Sequence, residues 1–161
     1  HRVNTHKADE RAERLLAGDR HKRQKRKGQV VNVVDSSAWL SYFAGDDNAG
    51  KFAIAIEDVD ALLVPSITLT EVFKCIMRQK GEDAALQVVA HMQQGKVVAL
   101  DGALAMDAAV AGLKYKLPLA DSIIYATASK FGAVVWTQDE DFKELSDVQY
   151  FPTETTPTAS T

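Results

Sequence analysis

The sequence predicts an α/β fold in which helices cover both faces of a mostly parallel central sheet. Short apolar runs rich in β-branched residues recur along the chain, and longer segments with apolar residues three and four positions apart lie between them. Strands that alternate with helices are typical of parallel sheets, because a parallel neighbour is reached only through a crossover connection. We expect those crossovers to be right-handed.

The predicted order of elements is β-α-α-β-α-α-β-α-α-β-α-β. Ser66 and Asp101 are natural N-caps, and Pro118 suits the first turn of a new helix. Strands are predicted at 29–34, 60–64, 96–100, 133–136 and 148–151. Helices are predicted directly after Asp35 and over 49–57, 66–80, 81–92, 102–116 and 118–131. The spacing in the helix over 102–116 predicts an inward face formed by Leu104, Ala108, Ala109 and Leu113.

Length and composition indicate one domain of ordinary globular type. At 161 residues with 46% apolar residues, the chain can bury a sizeable core. Its single cysteine, Cys75, cannot form a disulfide within the chain, which fits the reducing cytoplasm. No apolar run approaches the roughly 20 residues that span a bilayer. We therefore expect a cytoplasmic protein without a membrane partner.

Charge divides the chain unevenly. Residues 1–28 carry ten Lys or Arg and four Asp or Glu, whereas residues 29–161 carry nine and eighteen. The first region is interpreted as a basic N-terminal arm, or as an extension from upstream of the native start. Such an arm can contact nucleic acid, but a solvated tail without a role fits equally well. The acidic domain is assigned to 29–151, and the tail at 152–161 is predicted to be disordered because it is poor in apolar residues.

Four carboxylates stand at comparable places in the predicted fold. Asp35 follows the first strand, Glu71 lies in the helix after the second, Asp121 lies in a first helical turn, and Asp139 follows the fourth strand. Each has an ordinary explanation. Asp35 alone fits an N-cap better than a site residue, and Glu71 alone fits a favourable charge near a helix N-terminus. Ligands in α/β proteins bind beyond the carboxyl ends of the strands, so we expect these acids to meet there.

A cluster of carboxylates predicts a cation, because unpaired carboxylates repel one another. Oxygen ligands without a matching His or Cys group favour Mg²⁺ or Mn²⁺ over zinc. Two such ions about 4 Å apart would activate a water molecule and stabilise the leaving oxygen in an attack on phosphorus. Hydrolysis of a phosphodiester is the chemistry that fits this arrangement.

Four stretches carry a resemblance to a known family. The chain resembles the PIN-domain ribonucleases, and most closely the VapC-type toxins of bacterial toxin–antitoxin pairs, over about residues 30–151. The stretches are VVDSSAWL, PSITLTEVF, LPLADSIIYATA and VVWTQDEDF. The resemblance implies a PIN-like three-layer α/β/α sandwich. It also implies that the catalytic and metal-binding acids are Asp35, Glu71, Asp121 and Asp139, with Asp141 as an additional ligand or a neighbour of the ligands and Ser37 and Thr137 as polar neighbours.

The function implied by the resemblance is that of an Mg²⁺- or Mn²⁺-dependent endoribonuclease, the toxin of a type II toxin–antitoxin system. It implies an RNA substrate, a homodimer, and a cognate antitoxin whose C-terminal segment covers the acidic cleft with a basic side chain. The arm at 1–28 departs from this pattern. It would add RNA affinity, imitate an antitoxin in cis, or have no role.

Two other classes of function remain open. A non-catalytic PIN-like module would serve as a dimeric partner-binding or DNA-associated regulator, although the intact set of acids argues against it. A phosphoacceptor domain also clusters acids at strand ends, but it needs adjacent acids early in the chain and a lysine after a late strand. Neither feature is evident in the sequence.

Overall fold

The structure of the protein is a computed structural model in which residues 30–153 are described. The predicted basic arm at 1–28 lies outside the described residues, as does the predicted tail from residue 154 onward. None of the helices within 30–153 is long and apolar enough to cross a membrane.

The described part of the chain contains the predicted strands and helices in order, except that the helix predicted between the fourth and fifth strands is only a short 3₁₀ turn. The strands are β1 (Asn32–Val34), β2 (Leu62–Pro65), β3 (Lys96–Val98), β4 (Val134–Thr137) and β5 (Val148–Tyr150). The α-helices are α1 (Ser36–Ala44), α2 (Ala49–Ile56), α3 (Ser66–Lys80), α4 (Glu82–Met92), α5 (Gly102–Tyr115) and α6 (Leu119–Phe131). Short 3₁₀ turns at Val59–Ala61 and Glu140–Phe142 precede β2 and follow β4.

All five strands are parallel, in the order β3-β2-β1-β4-β5. The first strand is central, with Asn32 beside Leu62 of β2 on one side and Val134 of β4 on the other. Because every strand runs the same way, all carboxyl ends lie at one edge of the sheet. Asp35 and Asp139 follow the ends of neighbouring strands at that edge.

Two apolar layers separate the sheet from its helices. Val34 points to one face and packs with Trp39 and Phe52 of α1 and α2. Val33 points to the other face and packs with Ile124 of α6. Alternate residues of β1 therefore enter opposite layers, as a strand buried on both faces requires. The predicted three-layer α/β/α sandwich is confirmed.

The N-cap predicted at Ser66 is wrong, whereas the one at Asp101 is confirmed. The second strand runs on to Pro65, which pairs with Val98, so Ser66 is already the first residue of α3. Pro65 occupies the cap position without a side-chain hydrogen bond. Asp101, in contrast, accepts from the Leu104 backbone N–H at 2.8 Å.

The inward face predicted for α5 is only half correct. Leu104 and Ala108 are buried, but Ala109 is exposed and Leu113 is 85% exposed. The reason is the close contact of α5 with α6. A Cβ atom added at Gly112 would lie 3.3 Å from the Ser122 Cβ, so the side of α5 that carries small residues faces the core. Apart from Leu104, the bulky apolar residues Met106, Val110 and Leu113 are turned outward.

Candidate metal centre

Three carboxylates from three separate elements meet at the carboxyl edge of the sheet. One carboxylate oxygen each of Asp35, Asp121 and Asp139 can be chosen so that all three lie within 4.8 Å of one another. Asp35 joins β1 to α1, Asp121 lies in the first turn of α6, and Asp139 follows β4. The parallel sheet brings β1 and β4 side by side, and α6 places its N-terminal turn against them.

Asp35 is fixed by several hydrogen bonds. It is 2% exposed, and its Oδ1 accepts from the Ala38 backbone N–H at 3.1 Å and from the Ser37 hydroxyl at 2.8 Å. Thr137 also hydrogen-bonds to this carboxyl group. The Asp35 backbone N–H donates to the Trp136 carbonyl at 3.1 Å, which ties the start of α1 to β4. Asp35 is therefore the N-cap of α1 and a member of the acidic cluster at once.

Burial dominates the ionisation of Asp35. It raises the pKa of Asp35 from its ordinary value to about 7, despite the hydrogen bonds from Ser37, Ala38 and Thr137 that stabilise the charged form. The negative charge of Asp139 raises this pKa further. The cluster therefore disfavours a full set of charged carboxylates.

The pKa of Asp121 is raised by the same two causes, burial and neighbouring negative charge. Burial raises the pKa of Asp121 to about 7, and neighbouring negative charges add to the shift. These charges, from the largest effect to the smallest, are Asp139, Asp35, Asp141 and Glu71. The four other predicted acids thus all act on the ionisation of Asp121.

Glu71 and Asp141 lie at the margin of the three-carboxylate group. Glu71 on α3 is half-buried, and its Oε1 accepts from the Ser36 hydroxyl at 2.6 Å. Asp141 is exposed, and its backbone N–H donates to Asp139 Oδ1 at 2.9 Å. The backbone N–H of Asp139 in turn donates to the Thr137 hydroxyl at 2.9 Å. Asp139 is therefore held in a tight turn between β4 and the following 3₁₀ turn.

The donor set fits a hard divalent cation. The three convergent side chains offer only carboxylate oxygens, which Mg²⁺ and Mn²⁺ prefer, and zinc more often takes His or Cys. A divalent charge among them would favour the ionised forms of Asp35 and Asp121, which the protein by itself disfavours.

Comparison with known families identifies this arrangement. The family model described as "PIN domain" matches residues 33–148, which include all three convergent acids. The chain belongs to the PIN domain family. Among curated proteins, the sequence comparison finds no match.

Solved structures share the fold of this PIN domain. A toxin–antitoxin complex from Klebsiella pneumoniae superposes with a TM-score of 0.63 at 20% identity, over 73% of this chain and 95% of that one. VapC20 of Mycobacterium tuberculosis, described as a sarcin–ricin loop cleaving toxin, superposes with a TM-score of 0.62 at 22% identity, over 75% of this chain and 99% of that one. DNA-bound VapBC from Salmonella typhimurium superposes with a TM-score of 0.61 at 15% identity, over 77% of this chain and 98% of that one. These likenesses confirm the predicted resemblance to VapC-type toxins in fold.

A groove of about 650 Å³ has Ser37 and Gln138 among its lining residues, but none of the candidate acids lines it. Ser37 contacts Asp35, and Gln138 precedes Asp139 in the sequence. From there it runs between α1, α3 and α4. Its apolar walls include Leu40, Phe43, Ile76, Ala84 and Val88.

Sequence reasoning named Ser37 but missed Ser36. Only the structure shows that the Ser36 side chain reaches α3 and donates to Glu71, 35 positions away. The local pattern of Asp35 followed by two serines fits capping, and it gives no sign that the first hydroxyl points to another helix. A contact between distant segments leaves no local signal.

Proposed function

We propose that this PIN domain is an Mg²⁺- or Mn²⁺-dependent endoribonuclease and the toxin of a type II toxin–antitoxin pair. The observation that carries the proposal is the convergence of Asp35, Asp121 and Asp139 within 4.8 Å at the carboxyl edge of the sheet. The shared fold with toxins such as VapC20 supports it.

The residues of the centre have distinct roles in this proposal. Asp35, Asp121 and Asp139 hold the cation, which when bound supplies an activated water and stabilises charge on the phosphate. Glu71 is a ligand or orients the attacking water, and Asp141 is an additional ligand. Ser37 and Thr137 hold the Asp35 carboxylate by hydrogen bonds.

An acidic protein needs a means to attract RNA. Bound cations reverse the local sign of the charge at the centre, and phosphate groups can approach them. The basic arm at 1–28 would supply further contacts with the RNA backbone. Cleavage then takes place in the cytoplasm, where cellular RNA is found.

The proposed antitoxin occupies the same region of the surface. A basic side chain from its C-terminal segment would neutralise the three carboxylates without supplying a reactive water. The groove whose lining includes Ser37 and Gln138 would accommodate the adjoining part of that segment, with apolar side chains against Leu40, Phe43 and Ile76. Several solved structures with this fold are described as complexes of such pairs.

The test is cleavage of total cellular RNA by the purified protein, after any copurified antitoxin has been removed. Wild type is compared in Mg²⁺ or Mn²⁺, in EDTA, and with Asp121→Asn. A matched control is Asp147→Asn, because Asp147 is exposed, precedes β5 at the opposite edge of the sheet, and has a φ of 58° that asparagine tolerates.

We expect discrete new RNA ends with wild type and Asp147→Asn, and none in EDTA or with Asp121→Asn. If wild type cut no better than Asp121→Asn, the nuclease proposal would be wrong. A non-catalytic PIN module that binds partners or DNA would then be the better account.

A further inference from the structure

Three lysines and two aromatic rings lie together on the surface formed by α5, α6 and β3. This lysine band consists of Lys96, Lys114, Tyr115, Lys130 and Phe131, all of them exposed. The Lys114 Nζ lies 5.2 Å from the centre of the Tyr115 ring. The Nζ atoms of Lys96 and Lys130 lie 6.0 Å and 5.9 Å from the centre of the Phe131 ring. Each ring of the band therefore has at least one ammonium group beside it.

A shallow cavity of about 390 Å³ between α5 and α6 connects the two rings of the band. Lys114 and Tyr115 line it from α5, and Lys130 lines it from α6. Tyr125, which also lines the cavity, meets the Tyr115 ring edge-on at 5.3 Å between ring centres. The Tyr125 hydroxyl donates to the Ser146 carbonyl at 3.2 Å, so this wall of the cavity is held in place.

The lysines of the band have no acidic partner among residues 30–153. None of the three forms an ion pair there, although Asp107 also lines the cavity. Residues 29–161 carry only nine Lys or Arg against eighteen Asp or Glu, and three of those nine belong to the band. Unpaired positive charges gathered on an otherwise acidic domain attract a polyanion.

We propose that the lysine band is a contact surface for single-stranded RNA, the substrate of the metal centre. The proposal rests on the nuclease function proposed above. The lysines attract phosphate groups, and the exposed faces of Tyr115 and Phe131 allow bases to stack. An acidic polypeptide would use the lysines alone, so the rings between them favour a nucleic acid.

The band is connected to the metal centre by α6. Asp121 lies in the first turn of this helix and Lys130 in its last, about 13 Å further along the axis. The near end of the band is closer, because Tyr115 contacts Tyr125, one turn beyond Asp121. An RNA strand of several nucleotides can therefore contact the metal centre and the band at the same time.

Contacts away from the bond that breaks affect binding more than chemistry. RNA held by the band gains the same free energy before and during the reaction, so the band should lower KM and leave kcat unchanged.

The test measures binding of a fluorescein-labelled oligouridine of about 20 nucleotides to the full chain, by fluorescence anisotropy at several salt concentrations. EDTA is present, so that binding is measured without cleavage. The band variant combines Lys114→Gln with Lys130→Gln. The matched control combines Lys51→Gln with Lys74→Gln, which removes the same charge from exposed positions of α2 and α3. Thermal melting checks that both remain folded.

We expect the band variant to bind about tenfold more weakly than wild type at about 0.1 M salt. The slope of log K against log salt concentration should become shallower by about 1.4, because each phosphate contact of a single strand contributes about 0.7. The control should match wild type within about twofold. Phe131→Leu should weaken binding about fivefold without a change in slope, whereas Phe131→Tyr should bind like wild type.

The cleavage rate of a mapped RNA site in Mg²⁺ separates this proposal from the nuclease proposal. The band variant should raise KM about tenfold and keep the kcat of wild type. If wild type cut no RNA, the nuclease function would be wrong, and the binding data in EDTA would still decide whether the band contacts RNA.

Three results would overturn the role of the band. Wild type could fail to bind the oligouridine, or the band variant could bind it with the affinity and salt dependence of the control. A band variant with a lower kcat and an unchanged KM would place the effect at the metal centre. Poly-L-glutamate that bound wild type but not the band variant, with RNA bound alike by both, would assign the band to an acidic polypeptide instead.

Discussion

At the scale of single residues, Asp35 shows how one side chain can satisfy two interpretations of the same pattern. The sequence alone favoured an N-cap, and the bond from the Ala38 N–H to Asp35 Oδ1 bears this out. The same carboxyl group lies in the three-carboxylate cluster. A cap at the carboxyl end of a central strand is therefore also a position from which a ligand can be bound.

The two properties of Asp35 can be separated by substitution. Asp35→Asn keeps an oxygen that can cap α1, whereas Asp35→Ala removes the cap and leaves the Ser37 hydroxyl without this partner. We expect the free energy of unfolding of Asp35→Ala to be lower than that of Asp35→Asn by at least about 1 kcal/mol. Urea denaturation measures the difference. Both variants should lose Mg²⁺-dependent stabilisation, and retention of it by either would remove Asp35 from the proposed ligands.

The shifted pKa values predict how stability depends on pH without metal. Both Asp35 and Asp121 have a pKa of about 7 in the folded protein, compared with about 3.9 in an unfolded chain. Between these values the folded protein holds protons that the unfolded chain releases. Proton binding by Asp35 and Asp121 therefore adds to the free energy of unfolding. This contribution is fully present below about pH 4 and is lost as the pH rises through 7.

We expect the melting temperature of wild type in EDTA to fall between pH 5 and 8 more steeply than that of Asp121→Asn. At pH 8 the variant should be more stable by about 1 kcal/mol, a modest figure because Asp121 is half-exposed and partly screened by solvent. Saturating Mg²⁺ should reverse the order at pH 8, since metal binding requires ionised carboxylates. Parallel melting curves for the two proteins in EDTA would contradict the assigned shift at Asp121.

Ser36 provides a prediction about Glu71. Removal of the hydroxyl in Ser36→Ala leaves Glu71 without the donor that fixes it, so we expect RNA cleavage to slow about tenfold with little change in melting temperature. Ser36→Thr keeps a hydroxyl and should retain most activity. The measurement is the cleavage rate on a mapped RNA site at saturating Mg²⁺. Equal rates for Ser36→Ala and wild type would assign this hydrogen bond a purely structural role.

At the scale of elements, the contact between α5 and α6 positions Asp121. Gly112 allows α5 to approach Ser122, the residue directly after Asp121. Because Gly112 has no side chain, the two helices pack closely at this point. The start of α6 is thereby held where its first turn meets β1 and β4.

Two helical glycines make a matched comparison. Gly50 in α2 has open space around it, so Gly50→Ala should raise the free energy of unfolding by about 0.5 kcal/mol through helix propensity. Gly112→Ala gains a similar propensity but brings a methyl group to 3.3 Å from Ser122. We expect it to be less stable than Gly50→Ala by about 1 kcal/mol in urea denaturation. Equal effects of the two substitutions would show that α6 can shift away from the added methyl group without lowering the free energy of unfolding.

Some elements could be predicted from local pattern and others could not. Every strand was anticipated, because short β-branched runs between helical segments are a strong signal. The inward face of α5 was not, because Leu113 fits the apolar spacing as well as Leu104 does. What decides between them is the close contact at Gly112, and that contact depends on the position of α6.

At the scale of the whole molecule, the region of the acidic site was more predictable than its details. Parallel strands bring their carboxyl ends to one edge whatever their order, so Asp35 and Asp139 could be expected at the same edge of the sheet. That β1 and β4 are neighbours there is shown only by the structure. The division into three convergent acids, with Glu71 and Asp141 at the margin, depends on side-chain positions that spacing does not determine.

The charge difference between the arm at 1–28 and the acidic domain supports a prediction about the whole chain. We expect deletion of residues 2–27 to weaken RNA binding and to reduce its dependence on salt concentration, because Lys and Arg contacts with phosphates release counterions. Binding to a fixed RNA at two salt concentrations measures both. Increased activity and metal affinity after deletion would instead indicate inhibition in cis, and no change in any of these would leave the arm without a role.

The separation of the three convergent acids along the chain affects when the protein can become active. Asp35 and Asp139 are more than a hundred positions apart, and they meet only once β4 has paired with β1. A ribosome that synthesises this chain makes the strands β1 to β4, all six α-helices and most of the core before it reaches Asp139. If the chain cuts RNA as proposed, each copy stays inactive through most of its own translation, because the nascent protein lacks one side of the metal centre.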